Sequence, residues 1–246
     1  QPTVTTLKEG VLQVASCLDY KPFEWIPAGQ TDPTGFDVDL SEEIASRLGL
    51  TVEWVTHDFD TVFTALSADQ FDMVAAASTI TAERDKEVDF SDPYYASRQS
   101  LIVNSTETPD IASTADLGEG DTVGVQKGTT GQMWAVENLV AQGVELKTFT
   151  NITPAFQDLE AGNIVGIVSD EPQAVSVAGT EFPSLAVVES IDTNENYGLA
   201  LSESNPDLRD AVNDALAEII SDGTYETLFK KYFPDQDVPP QFLPSA

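Results

Sequence analysis

Apolar positions along this chain follow two alternating rhythms. Val11 to Ser16 is a short, dense apolar run that reads as a buried strand. Leu40, Ile44 and Leu48 recur at helical spacing and predict an amphipathic helix over Asp39 to Leu48. Thr51 to Val55 then predicts a strand, Asp60 to Ser67 a helix, and Asp72 to Ala77 another strand. Strands separated by helices need crossover connections, so this βαβαβ order implies a mostly parallel sheet with helices on both faces.

The rhythm restarts after Val103. A polar stretch from Asn104 to Leu117, rich in Ser, Thr, Asp and Pro, has the composition of a surface connection. Beyond it the pattern predicts strands over Thr122 to Gln126, Val144 to Phe149 and Ile164 to Val168. Helices are expected over Gln132 to Ala141 and Pro154 to Glu160. Phe63-x-x-Leu66-x-Ala68 precedes one strand and Phe156-x-x-Leu159-x-Ala161 another, so the two halves share a plan. A polar stretch placed to face a ligand follows each time: Ser78-Thr79 in the first half, Ser169-Asp170 in the second. The chain ends with a long helix from Pro206 to Ser221, a short one from Thr224 to Tyr232, and a Pro-rich tail.

Composition narrows the class. With 246 residues, 41% hydrophobic and 22% charged, the chain is long enough for two lobes with real cores and reads as globular. Apolar runs such as Val74 to Ala77 are far too short to span a bilayer. The beginning, Gln-Pro-Thr-Val-Thr-Thr, has neither a basic start nor an apolar stretch, so any signal peptide is expected to be gone already. A net charge of −31 repels nucleic acid and anionic lipid headgroups. It suits solubility in salty surroundings, or a docking surface for a basic partner. The single cysteine excludes an internal disulfide and leaves the compartment open. Val14-Ala15-Ser16-Cys17 imitates a bacterial lipoprotein cleavage site, but no apolar run precedes it, so Cys17 is read as an interior thiol.

Several chemistries are missing. There is one histidine, His57, on a loop after a strand, where a structural or solvent-exposed role is expected rather than a catalytic one. No Cys/His cluster has metal-binding spacing, and Gly128-Thr129-Thr130-Gly131 lacks the spacing of either nucleotide-binding loop. No metal, cofactor or nucleic-acid partner is expected. With 42 acidic residues, a carboxylate pair carries little information by itself.

What remains suits a zwitterion. A free amino acid needs a fork of donors, an acidic acceptor and a side-chain pocket. Arg84, one of four arginines, closes Ser78-Thr79-Ile80-Thr81-Ala82-Glu83-Arg84 directly after a parallel strand, where open α/β sheets bind ligands. The same position also suits a surface salt bridge with Glu83 or Glu87. Thr129 and Thr130 begin a helix, where hydroxyls and free N–H groups form an anion site or merely cap the helix. Asp170 is placed either to meet an ammonium or to cap the helix Glu171 to Val177. Tyr20 and Phe59 each follow a strand at the same sheet edge, placed to sandwich a side chain or to sit in the core.

Taken together, these segments resemble the amino-acid-binding solute receptors of bacterial ABC importers, the group with glutamine-, histidine- and lysine/arginine/ornithine-binding proteins. The resemblance covers nearly the whole chain. It rests on Tyr20-Lys21-Pro22-Phe23-Glu24, Gly35-Phe36-Asp37-Val38-Asp39-Leu40, Thr79 to Arg84 with Val88 to Tyr95, Gly124 to Thr130, and Tyr197-Gly198-Leu199-Ala200.

The resemblance implies a type II periplasmic-binding-protein fold without catalysis. It further implies a monomer located outside the cytoplasm, in the periplasm or at the outer face of the membrane, that delivers its ligand to an ABC permease. One lobe would hold residues 1–99 and 198–246 and the other 100–197, joined by hinge strands near 100–103 and 194–198. Arg84 would take the ligand carboxylate with Thr129 and Thr130, and Asp170 the ammonium with the Ala77 carbonyl, Ser78 and Thr79. Tyr20 and Phe59 would cover the side chain, with Gln126 beside it. Where relatives for basic ligands and glutamine often carry Asp, three residues before the first aromatic, this chain has Cys17, which favours neutral polar ligands. Arg98 would favour an acidic ligand if it faced the cleft. Relatives that resemble cyclohexadienyl dehydratases leave an enzymatic alternative with Glu171 as the acid, and a ligand-sensing ectodomain is a further one.

Overall fold

A computed structural model describes residues 4–244. The first half runs β1 (Val11–Ser16), β2 (Asp19–Tyr20), β3 (Glu24–Trp25), α1 (Phe36–Leu48), β4 (Thr51–Thr56), α2 (Phe59–Ser67), β5 (Met73–Val74) and β6 (Asp89–Phe90). A long strand, β7 (Tyr95–Asn104), leads into the second half. There β8 (Thr122–Gln126), α3 (Thr130–Asn138), β9 (Glu145–Phe149), α4 (Thr153–Glu160), β10 (Gly166–Asp170) and α5 (Glu171–Val177) follow. The return is made by β11 (Leu185–Tyr197) and β12 (Ala200–Leu201), and α6 (Pro206–Ser221) and α7 (Thr224–Tyr232) close the chain.

These strands form two five-stranded sheets, one in each lobe, in the orders β4-β1-β5-β12-β6 and β11-β7-β10-β8-β9. Each contains the expected parallel trio, β4-β1-β5 and β10-β8-β9; β12 joins the first antiparallel to β5, and β7 joins the second antiparallel to β10. The crossings are β7 and β11, which pair antiparallel along most of their length. Near Tyr197 they reach the first sheet, where Thr79 bridges Tyr197. β11 bends before it arrives: its pairing with β7 shifts between Ile191 and Glu195, and Asn194 adopts a left-handed φ of 49°. Such an irregularity redirects a side chain, and here it turns Glu195 inward.

Element edges depart from the periodicity for identifiable reasons. α1 begins at Phe36, three residues before the expected start at Asp39, because the Pro22 and Phe23 carbonyls accept from the N–H groups of Phe36 and Asp37. This tight approach requires Gly35, where an added Cβ would lie 1.9 Å from the Phe23 carbonyl oxygen. β5 is cut to Met73–Val74 because the chain leaves the sheet and Ala77 turns left-handed, φ 45°. β10 sits two residues later than expected, which makes Asp170 its last residue.

An aromatic cluster fixes the junction of hinge strands and C-terminal helices. Phe23 meets Tyr95 and Tyr197 edge-on at 5.0 and 5.3 Å, and Phe36 packs on Tyr225 at 5.6 Å. Both phenylalanines are fully buried, and truncating such a ring to alanine costs about 3–5 kcal/mol.

Candidate functional site

Between the two sheets lies a small, nearly filled cavity of about 10 Å³. Its wall includes Cys17, Tyr20, Phe59, Ala77, Thr79 and Arg84 from the first half, and Gln126, Thr129, Thr130 and Asp170 from the second. Sequence reasoning had singled out all of these; Ala76, which completes the wall, it had not. Ser78 is buried but lies off the cavity, where its carbonyl accepts from the Gly198 N–H.

Arg84 comes off the loop after β5 and starts a single 3-10 turn. Its guanidinium donates to the Thr79 carbonyl at 2.7 Å and, across the cleft, to the Gly128 carbonyl at 3.1 Å. It lies 5.1 Å from the Phe59 ring centre and 4.8 Å from that of Phe63. Each of the other three arginines holds a carboxylate, Arg47 with Glu43, Arg98 with Glu171 and Arg209 with Asp89. Among the described residues, Arg84 has none in salt-bridge contact. Its two sequence neighbours are occupied elsewhere, Glu83 with Lys86 and Glu87 with the Thr64 hydroxyl. Burial lowers the Arg84 pKa to about 10, against the pull of Asp170 and Glu195. The group stays charged at neutral pH and keeps donors free for an incoming anion.

Asp170 faces the same cavity from the end of β10. Although it occupies the N-cap of α5, its side chain makes no capping bond. Its oxygens accept instead from Gln99 Nε2 and from the Tyr197 hydroxyl. Burial, and then the negative charge of Glu195, raise the Asp170 pKa to about 7. A cationic ammonium placed here would offset both effects.

At the start of α3, Thr129 accepts from the Gln132 N–H at 3.1 Å and donates to the Gln126 carbonyl at 2.8 Å. Its side chain is therefore a true cap. Thr79 and Thr130 both donate their hydroxyl protons to Glu195, at 2.6 and 2.7 Å. With these protons committed, the donors left for an anion are the first N–H groups of α3, which have no partner within the helix.

The side-chain end of the cavity is formed by Tyr20, Phe59, Cys17 and Gln126. The Tyr20 hydroxyl lies 3.4 Å from Ser169 Oγ, and Gln126 donates to the Thr150 carbonyl at 3.2 Å. Burial pushes the Cys17 thiol well up, so it stays protonated. Behind it, Glu24 is fully buried with one unpartnered oxygen, and burial together with Asp37 raises its pKa well above the carboxylate range.

Other candidates fall outside the cavity. Glu171 and Arg98 line a separate open groove and pair with each other, and Glu171 also accepts from Ser190. His57 lies beside the Asp58 carbonyl and the Phe71 ring. Gln99, Glu195 and the Tyr197 hydroxyl were not anticipated as parts of the site. Gln99 and Asp170 are direct cross-strand partners between β7 and β10, a pairing that no local pattern displays.

Contacts across the cleft hold the halves together: Lys127 with Asp60 at 2.7 Å, Lys21 with Glu181 at 2.6 Å, and Arg84 with Gly128. Two lobes, two crossing strands and a cavity between them that carries one buried arginine and one buried aspartate define a solute-binding protein of the type II periplasmic architecture. The chain belongs to the bacterial extracellular solute-binding proteins, family 3, whose family model matches residues 12–235. It is 33% identical over 226 residues to the L-cystine-binding protein TcyJ of Escherichia coli (strain K12), covering 92% of this chain and 84% of that protein. An ancestral arginine-binding protein bound to arginine superposes with TM-score 0.86 at 36% identity, over 92% of this chain and 99% of that one. The ancestral amino acid-binding protein AncCDT-1, a precursor of cyclohexadienyl dehydratase, superposes with TM-score 0.85 at 37% identity, over 91% and 96%. Among the described residues, no helix is long and apolar enough to cross a membrane.

Proposed function

We propose that this chain is the extracytoplasmic receptor of an amino-acid uptake system, closing over one free L-amino acid and handing it to the permease of an ABC transporter. It works as a monomer, in the periplasm or at the outer face of the cell membrane. Residues 1–99 with 198–246 form one lobe and 100–197 the other. Arg84 and the first N–H groups of α3 receive the ligand's carboxylate, and Asp170 with Thr79 receives the ammonium. Tyr20 and Phe59 cover the side chain, and Gln126 meets its polar end.

One observation carries this reading: among the described residues Arg84 is a buried guanidinium with no carboxylate in salt-bridge contact, and it shares a small cavity with the buried carboxylate of Asp170. Two buried, opposite charges in one cavity that form no salt bridge with each other are costly alone and complementary to a zwitterion. Charge-assisted hydrogen bonds contribute about 1.5–3 kcal/mol each, so three or four of them support micromolar or tighter binding after association costs. The pocket offers hydrogen bonding at Gln126 and a thiol at Cys17, and burial opposes the ionisation of Glu24 behind it, which favours a neutral polar side chain. The dehydratase-like alternative named Glu171 as its acid, and Glu171 lies outside the cavity, paired with Arg98.

A thermal-shift screen against the twenty standard amino acids, L-ornithine and L-cystine tests the proposal, because a ligand that binds only the folded state raises the melting temperature. One or a few neutral polar amino acids should shift it by several degrees. A flat response across the panel would refute the receptor reading.

A further inference from the structure

Glu195 is buried at the irregularity in β11 and makes four hydrogen bonds, all from neutral donors. Its Oε1 accepts from Gln99 Nε2 at 2.8 Å and from the Thr193 hydroxyl at 2.7 Å. Its Oε2 accepts from Thr79 at 2.6 Å and Thr130 at 2.7 Å. The two threonines stand on opposite sides of the cleft, Thr79 after β5 and Thr130 at the start of α3. Both line the amino-acid cavity, and both also line an open groove behind it; Glu195 lines only the groove. The two hydroxyls and the carboxylate thus form a partition between cavity and groove.

A hydroxyl has one proton to give. Because Thr79 and Thr130 give theirs to Glu195, each can present only lone pairs to the cavity. Gln99 fixes the polarity of the carboxylate's other side. Its Nε2 reaches Asp170 and Glu195 and also the Thr130 hydroxyl oxygen at 3.1 Å, which leaves Thr130 one lone pair for the cavity; the reversed amide would set its oxygen against two carboxylates.

We propose that Glu195 is a positioning residue of the site: it orients the Thr79 and Thr130 hydroxyls so that both lobes offer acceptors to the ligand's ammonium beside Asp170. This rests on the receptor reading given above and assigns the Thr130 hydroxyl to the ammonium end, while its backbone N–H stays with the carboxylate. Closing the cleft brings the two hydroxyls onto one oxygen, so ammonium recognition and closure are completed together.

The decisive variant is Glu195→Gln, nearly identical in shape. Gln99 donates toward Oε1, so the new amide turns its oxygen to Gln99 and its N–H groups to the threonines. Their protons must then point into the cavity, against the ammonium. The best binder of the twenty amino acids, L-ornithine and L-cystine is titrated calorimetrically at pH 8. Its affinity should fall at least tenfold in Glu195→Gln, while Thr79→Val with Thr130→Val should remove most of that difference. A second readout is the acid limb of the binding profile, set by Asp170 among Glu195, Arg84, Tyr20, Tyr197 and Gln99. It should move to lower pH in Glu195→Gln, which a purely structural role would not produce. Should the Gln variant not fold, Glu195→Asp is used; it keeps the charge but draws it away from the threonines, and should weaken binding with the acid limb unmoved. Unchanged affinity in Glu195→Gln, or an equal loss in the double-valine background, overturns the inference and leaves the receptor reading standing. No binding by the unaltered chain overturns both.

Discussion

Cys17 Sγ donates to Glu24 Oε1 at 3.5 Å, so the thiol at the cavity wall stands in front of a buried carboxyl that burial and Asp37 hold back from ionising. A cationic side chain reaching Cys17 would meet no fixed anion. Glu24 would have to lose its proton beside Asp37 and Asp19, both of which oppose it.

Cys17→Asp should therefore shift preference toward basic ligands, because it sets a carboxylate directly in the wall beside the aromatics. Competition binding with glutamine, leucine, glutamate and arginine at one ionic strength should show arginine gaining about tenfold or more over glutamine, equivalent to about 1.4 kcal/mol. Arginine winning outright in the unaltered protein would contradict the neutral-ligand reading.

Arg84→Ala should abolish binding and leave the fold intact. The guanidinium rests on Phe59 and Phe63 without an ionic partner, so its removal ends a desolvation cost as well as a contact. The ligand-free melting temperature should stay within a few degrees of the original, and the ligand-induced shift should vanish. Arg84→Lys should bind weakly too, since a point charge cannot form the fork. Retained affinity within threefold in either variant would rule out Arg84 as the carboxylate's partner.

Asp170→Asn keeps the hydrogen-bonding shape and removes the charge. Affinity should fall by about 2–5 kcal/mol, the cost of breaking a buried charged pair. In the unaltered protein Asp170 titrates near 7 without ligand, and an ammonium needs it ionised. Binding should therefore weaken as pH falls below 7 and should release a proton, measurable by calorimetry in buffers of different ionisation enthalpy. PH-independent affinity between 5.5 and 8 would count against this.

Stability should respond to pH with a defined sign. Burial raises Asp19 and Asp37 to about 6 and Asp170 to about 7, and raises Glu24 further. A raised folded pKa contributes stability that is full below the unfolded value and is lost as pH rises through the folded one. The ligand-free protein should thus melt higher near pH 5 than near pH 7.5. Added salt should raise the melting temperature at neutral pH by screening a net charge of −31. Scanning calorimetry over both variables checks this, and a fall in melting temperature with salt would show that ion pairs outweigh the repulsion.

Much of the molecule was legible before any coordinates. The strand Val11–Ser16 and the helices Glu171–Val177, Pro206–Ser221 and Thr224–Tyr232 have the expected bounds, because their apolar spacing and caps are local. The cavity's charged ends, Arg84 and Asp170, were marked by their place after parallel strands, where a sheet presents its loops. Periodicity, however, speaks only of burial along one segment. It could not show that, among the described residues, Arg84 has no carboxylate in salt-bridge contact while ten other lysines and arginines hold one. It left Thr129 open between capping and binding; a 3.1 Å bond from Gln132 makes it a cap, and it lines the cavity as well. Nor could it place Glu195, whose partners lie 116, 96, 65 and 2 residues away. Those distances along the chain are bridged by sheet register and by one left-handed residue, Asn194. Residue spacing determined which groups could meet a zwitterion; the hydrogen-bond polarity around them was decided by tertiary structure, because a proton's direction depends on partners that only folding brings together.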